Sequence, residues 1–379
     1  MKIKGIEPTP SPNSMKINMD EALPGNERYN YTKENLDDAP DYIKEIFKVE
    51  GVKSVYHVAD FIALDRHPRA DWEDVLAGVR EVFGDSDDQQ SEAAGQEKKE
   101  DEYLEITVLI QMFRGLPMQV KLKTENEERR AGLPERFMNA ALEAQKSSDN
   151  LVMERQWVEQ GVRYGTFEQI GQEVVEEISA AYDEERVQKL VEQAFSMESG
   201  KEAPKEEVST TEVAEKMQDE DWQTRYAALE RMNPTVNDIM VLKQALKDPK
   251  PSIRRLAVVY LGMIEDEAVL PLLYAGLKDK NVAVRRTAGD CLSDLGNPSA
   301  IPAMCEALND KNKLVRWRAA RFLFEVGDET AIPALEDAED DPEFEVRLQA
   351  KIALERIQSG EEAAGSVWQQ MMKSRENNE

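Results

Sequence analysis

The chain has 379 residues with 48 Lys and Arg against 76 Asp and Glu, a formal charge of −28 and a pI near 4.6. So acidic a surface tracks phosphates poorly and is repelled by anionic membranes, so neither nucleic acid nor membrane is an expected partner. Two cysteines, Cys291 and Cys305, exclude a disulfide framework and a four-thiolate metal site within one chain. No long apolar run follows a basic start, which sets the expectation of a cytoplasmic protein.

At its N-terminus, KIKGIEP and SMKINM alternate, with Met15, Ile17 and Met19 on one face, which predicts two half-buried strands. DDAPDYIKEIFKV sets Ile43, Ile46 and Phe47 at helical spacing until Gly51 interrupts it. VKSVYHV and DFIALDR then predict a hairpin, and Trp72, Val75, Val79 and Val82 stripe a closing helix. Residues 1–84 are thus an α+β domain of order ββαββα. The hydrophilic stretch 85–102 lacks the apolar surface to offset its ordering entropy and is assigned as an acidic linker.

Residues 103–197 predict a small α/β domain. YLEITVLIQMF and PMQVKLKT are strands joined through Gly115 and Pro117, and LPERFMNAALEAQK is a helix. VMERQWVEQGVRYG alternates as a strand. TFEQIGQEVVEEISAAY is a helix opened by a capping box of Thr166 and Gln169. A second linker, 198–211, follows, and a tail, 359–379, ends the chain.

Between them, 212–358 is a repeat. DPKPSIRRLAVVYL, DKNVAVRRTAGDCL, DKNKLVRWRAARFL and DPEFEVRLQAKIAL align without a gap. Asp248, Asp279, Asp310 and Asp341 recur every 31 residues, as do Arg254, Arg285, Arg316 and Arg347, and Ala257, Ala288, Ala319 and Ala350. A weaker copy, with Asp219, Arg225 and Ala228 two residues out of phase, makes five units. Each is a pair of helices, the first with Pro302 or its equivalent in its opening turn, the second closed in one copy by Gly327. Such a pair cannot hide its apolar face alone, so neighbours stack into an all-α solenoid.

The repeat resembles HEAT repeats of the short kind found in phycobilisome-lyase-type proteins. In HEAT repeats the internal Asp and Arg form a ladder between units, so the resemblance makes Arg254, Arg285, Arg316 and Arg347 structural. Arg255, Arg286, Trp317 and Arg318 break the strict pattern and are the candidates for a surface that faces a protein partner. Of the enzyme classes on such scaffolds, di-iron hydroxylases need His-Glu pairs, but here His57 precedes Val58 and His67 precedes Pro68. His57 and His67 could approach each other around a strand, yet two imidazoles without a third ligand make a poor metal site. Cys291 and Cys305 read as small buried hydrophobes. Arg155, Trp157, Arg163 and Tyr164, which an enzyme would need around a pocket, read first as an amphipathic strand. No catalytic, metal or cofactor residue is therefore assigned, and the expectation is a protein that is not an enzyme.

The stretches TPSPNSMKI, EALPG, EIFKVEGVKSVYHVADFIALDR and the helix led by DWEDV resemble the N-terminal domain of NifU-like (Nfu) iron–sulfur scaffolds. In those scaffolds a Cys-x-x-Cys of a separate domain holds the cluster, and this chain has no such motif. The order of Nfu-like domain, small α/β domain with its VMERQWVEQGVRYGTFEQIG stretch, and HEAT-like repeats resembles the conserved virulence factor C family of Gram-positive bacteria. That resemblance implies a link to outputs such as haemolysin and toxin production. The expected function is a cytoplasmic adaptor that binds protein partners through its solenoid; the alternative is an accessory factor in iron–sulfur assembly or delivery that does not itself carry the cluster.

Overall fold

The computed structural model describes residues 1–9, 11–24, 27–84, 104–124, 127–148, 150–196 and 208–360. The linker at 85–102 and the tail beyond 360 lie outside the described residues, as does most of the linker at 198–211. The chain divides into two compact units, Met1–Tyr103 with Gly296–Glu379, and Leu104–Leu295.

In the first unit, strands β1 (Ile3–Pro8), β2 (Ser14–Met19), β3 (Arg28–Thr32), β4 (Val52–Val58) and β5 (Phe61–Arg66) form an antiparallel sheet of order β1-β2-β5-β4-β3. Helices α1 (Asp41–Ile46) and α2 (Trp72–Val82) belong to the same core. Period-two alternation turns Met15, Ile17, Met19, Val55, Ile62 and Leu64 into that core, together with Ile43 and Ile46 of α1 and Trp72, Val75 and Val79 of α2. The Trp72 indole N–H donates to the Pro12 carbonyl at 2.9 Å, which fixes the turn at residues 11–13. Strand β3 was not predicted: RYNYT is exposed at its first three positions, so as an edge strand it lacks the apolar alternation that marks the others.

The last repeats lie in this unit: α13 (Ile301–Ala307), α14 (Lys313–Val326), α15 (Ile332–Ala338) and α16 (Phe344–Ser359). Gly327 closes α14, but not by a left-handed turn, since its φ is −60°. A Cβ there would meet the Leu323 carbonyl oxygen at 2.3 Å, so the requirement for glycine is steric.

In the second unit, β6 (Glu105–Phe113), β7 (Leu116–Lys123), β8 (Glu128–Ala131) and β9 (Gln156–Tyr164) form an antiparallel sheet of order β8-β7-β6-β9. Helices α3 (Glu135–Ala144), α5 (Phe167–Ala181) and α6 (Glu184–Ala194) complete its core, with Ile106, Val108, Val120, Phe137, Ile170 and Val174 among its buried members. The alternation from Val152 predicts a β9 that starts earlier. Instead Leu151–Glu154 is a helical turn, α4, because Asn150 caps it by accepting from the Met153 N–H at 3.3 Å. The capping box of α5 forms as read, with the Gln169 N–H donating to Thr166 Oγ1 at 3.2 Å.

The buried Arg114, in the β6–β7 turn, holds this domain's periphery together from a left-handed φ of 47°. Its guanidinium donates to Glu154 Oε2 at 2.8 Å, Ser147 Oγ at 3.1 Å and the Ala194 carbonyl at 2.5 Å. The first repeats belong to this unit as α7 (Thr210–Lys216), α8 (Trp222–Glu230), α9 (Ile239–Ala245), α10 (Pro251–Gly262), α11 (Leu270–Leu277) and α12 (Val282–Leu295). The second helices of the four aligned copies begin at Pro251, Val282, Lys313 and Phe344, in step with the period of the sequence.

Candidate functional site

One face of the repeats is organised by the recurring Asp and Arg. Arg254 donates from Nε and Nη2 to the two carboxylate oxygens of Asp279, at 2.7 and 2.9 Å, and from Nη1 to the Asp248 and Pro249 carbonyls at 2.8 and 3.0 Å. Arg225 grips Asp248 in the same way, at 2.7 and 3.0 Å, and Arg316 grips Asp341 at 2.6 and 3.0 Å. Each Asp also accepts the backbone N–H two residues on, as Asp248 does from Lys250 at 2.8 Å and Asp279 from Asn281 at 2.7 Å. One carboxylate therefore holds the turn that leads into its own second helix and receives the fork of the preceding repeat, whose planar guanidinium matches both carboxylate oxygens.

The residue after each ladder arginine points elsewhere. The guanidinium of Arg255 donates from Nη2 to Glu177 of α5, at 3.0 and 3.2 Å, and Arg163 of β9 holds the same carboxylate at 2.6 Å. Burial alone would push the Glu177 carboxyl up, but Arg255 and Arg163 outweigh it and hold it below the usual range. One period on, Arg286 donates to the Tyr164 carbonyl at 3.2 Å and lies 5.8 Å from the ring of that tyrosine. Beside them Lys250 pairs with Glu176 at 2.8 Å. A basic strip on the second helices of the repeats thus meets an acidic turn of α5 and the end of β9.

Family models match in the same order: scaffold protein Nfu/NifU N terminal over residues 3–89, virulence factor over 111–191, and HEAT repeats over 210–288 and 272–355. A conserved virulence factor C of Staphylococcus haemolyticus is 47% identical over 372 residues, 98% of this chain and 99% of its own. The chain belongs to the conserved virulence factor C family. An uncharacterized protein of Bacillus subtilis, YpgR, is 57% identical across the whole of both chains. Among solved structures, protein SAV1430 from Staphylococcus aureus is 48% identical over 22% of this chain and 99% of its own, with a TM-score of 0.21.

In this virulence factor C chain, Arg255 and Arg286 engage the chain's own middle domain. Trp317 and Arg318 are buried, at 2% and 7% exposure, with the Arg318 and Arg321 guanidiniums about 6 Å from the indole ring. Burial of Trp317 and Arg318 counts against those two facing an outside partner, and Arg255 and Arg286 are already engaged within the chain. At Arg255 and Arg286 the departures from the repeat pattern mark a face that the middle domain meets.

Of the residues an enzyme would need, Arg163 and Tyr164 meet the repeats, Trp157 lies under Lys121 Nζ at 4.2 Å, and Arg155 is exposed at the end of α4. Glu177 was missed. Its signal was a carboxylate inside the apolar stripe of α5, beside Ile170, Val174, Ile178 and Ala181.

His57 is buried on β4, its Nδ1 2.8 Å from the Tyr42 hydroxyl, and burial lowers the affinity of the ring for a proton. His57 pairs with Ile62 near the hairpin turn, whereas His67 follows Arg66, which pairs with Val52 at the far end. Strand length therefore separates the two rings. Cys291 is packed against Gly262, where a Cβ would meet its Sγ at 2.4 Å, and burial pushes its thiol up. An open cleft of about 640 Å³ between the first two repeats is lined by Trp222, Arg225, Asp248 and Lys250. Of its charged groups, Asp248 is engaged by Arg225 and Lys250 by Glu176. No helix among the described residues is long and apolar enough to cross a membrane.

Proposed function

We propose that this chain is a non-enzymatic cytoplasmic adaptor whose repeat array carries two small α/β modules and offers them to protein partners. The observation that carries the reading is the paired engagement of Glu177 by Arg163 and Arg255. It ties the middle domain to the repeat face through a desolvated charge pair, which gives register and specificity to a module interface. The outward sheet surface of that module supports partner contact: Trp157 and Lys121 lie together there, and β9 exposes Val158 and Val162 on an edge strand. The charge of −28 supports a protein partner over nucleic acid or a membrane surface. The names of the staphylococcal relatives support an output associated with virulence, of which haemolysin or toxin production is the form we propose.

The test is affinity capture of the intact protein from its host, with Trp157→Ala and Lys121→Glu as variants. Partners captured by the parent and lost with these variants are the expected result. An identical set with all three proteins removes the middle sheet from the interface. Recovery of no partner at all counts against the adaptor reading itself.

The match to the Nfu/NifU N-terminal model over 3–89 favours a second reading, an accessory role in iron–sulfur assembly or client delivery without carriage of the cluster. Co-purification of iron–sulfur client proteins, with no cluster absorption after anaerobic reconstitution of this chain, is the outcome that reading requires.

A further inference from the structure

Arg347 is the last arginine of the ladder, and it is only half occupied within its own repeat. Its Nη1 donates to the Asp341 and Pro342 carbonyls at 2.8 and 3.1 Å, as the other ladder arginines do in their own turns. The fork that elsewhere takes the Asp of the following repeat finds no such residue in the sequence, because position 372, one period after Asp341, is Met. Instead its Nη2 donates to Glu73 Oε1 at 2.5 Å. Glu73 stands in the first turn of α2, its N–H held by the capping carboxylate of Asp71 at 2.8 Å.

Two further departures from the period occur at the same place. Glu345 is buried at a position where the preceding copies carry Leu314 and Ala283, and it pairs with Arg66 of β5 at 2.5 Å, their side chains 8% and 2% exposed. Arg66 lies 5.1 Å from the Trp72 ring. Phe344 and Leu348 pack against the core of the Nfu-like domain, and Leu348 is the periodic equivalent of Arg255, Arg286 and Trp317.

A buried carboxylate and a buried guanidinium are each costly when separated from their partner, and a repeat array with an apolar end requires a terminal cap. We propose that the Nfu-like domain is the cap of the repeat array, with Glu73 standing in for the ladder aspartate of a next repeat. The α2 and β5 corner that carries Arg66, Trp72 and Glu73 is then committed to the repeats, and any client of the Nfu-like domain is met by another of its faces. This role goes beyond the adaptor reading and stands whether or not a partner is found.

Hydrogen exchange by mass spectrometry on the full chain tests it. Glu73→Lys sets a cation against Arg347, and Arg66→Glu sets a carboxylate against Glu345. Each is expected to raise amide exchange in α15 and α16 by about tenfold or more, with a smaller effect in α13 and none in α8 and α10. Because Arg66→Glu can weaken the Nfu-like domain itself, the reciprocal pair Arg66→Glu with Glu345→Arg is the control, expected to recover protection in α16. Unchanged exchange in α15 and α16 with Glu73→Lys, while β2, β4 and β5 stay protected, overturns the proposal. So does failure of the reciprocal pair to recover any protection.

Discussion

Glu177→Gln removes the negative charge between Arg163 and Arg255 while keeping nearly the same shape. The parent carboxylate accepts at 2.6 Å from Arg163 and at 3.0 and 3.2 Å from Arg255, with its side chain 8% exposed. Breaking a buried pair by neutralising one partner costs about 3–5 kcal/mol, and the amide oxygen that remains sets the expectation at the lower end, about 3 kcal/mol. For a unit of this size each kcal/mol moves the midpoint by roughly 2–4 °C, so the midpoint is expected to fall by about 6–12 °C. Calorimetry and urea unfolding followed by the fluorescence of Trp157 and Trp222 give the two numbers.

The pH dependence carries its own sign. The native carboxyl sits below its ordinary 4.5, so its stabilisation is fully present above that value and is lost as pH falls through the depressed native one. Glu177→Gln is therefore expected to flatten the acid limb of the stability curve. A midpoint shift under about 1 kcal/mol equivalent, together with an unchanged acid limb, refutes the reading of Glu177 as the tie between domain and repeats.

Other substitutions test other links. Arg254→Lys cannot reproduce the fork on Asp279 and is expected to cost about 2–3 kcal/mol, read as a lower urea midpoint; Arg255→Lys, which retains a single contact to Glu177, is expected to cost less. Burial lowers the native pKa of His57, so the stability of its domain should hold above about pH 6.5 and decline as pH falls through the lowered native value. His57→Phe should shrink that decline in denaturation followed by Trp72 fluorescence, leaving the part due to His67, whose pKa burial also lowers, and a parent curve flat from neutrality to pH 5 disproves it. Gly262→Ala drives a methyl into Cys291 Sγ at 2.4 Å and is expected to cost about 1–3 kcal/mol by overpacking. Cys291→Ala should not relieve it fully, since the Cys291 Cβ itself lies 2.7 Å from the new methyl. Full recovery in calorimetry would show the helices free to separate.

Much of the fold could be read because it is written in periods. The repeat of 31 residues placed α10, α12, α14 and α16, and the recurring Asp and Arg gave the ladder its members. Two elements went unread for different reasons. Strand β8 has only four residues, ERRA, largely exposed, whereas α6 does carry helical spacing in Val187, Leu190, Val191 and Ala194, set among so many charges that its apolar content is low.

The site was half legible for the same reason. The departures from the repeat at Arg255 and Arg286 suggest a surface for an outside partner, and no local pattern says that their guanidiniums are answered within the chain by Glu177 and the Tyr164 carbonyl. Those partners lie 78 and 122 residues away in sequence. A composition this rich in Glu makes one carboxylate indistinguishable from the next until a fold buries it.

The contact between Glu73 and Arg347 joins residues 274 apart in the chain. A ribosome adding about 5–20 residues per second needs roughly 15–55 s to travel that far. Throughout that interval Arg66 and Trp72 are already made, while Glu345, Phe344 and Leu348 are not. The first domain synthesised therefore waits for the last repeat, with Arg66 lacking Glu345 and the apolar corner that Phe344 and Leu348 cover still open. Chaperone engagement during synthesis should centre on that corner and end when α16 emerges.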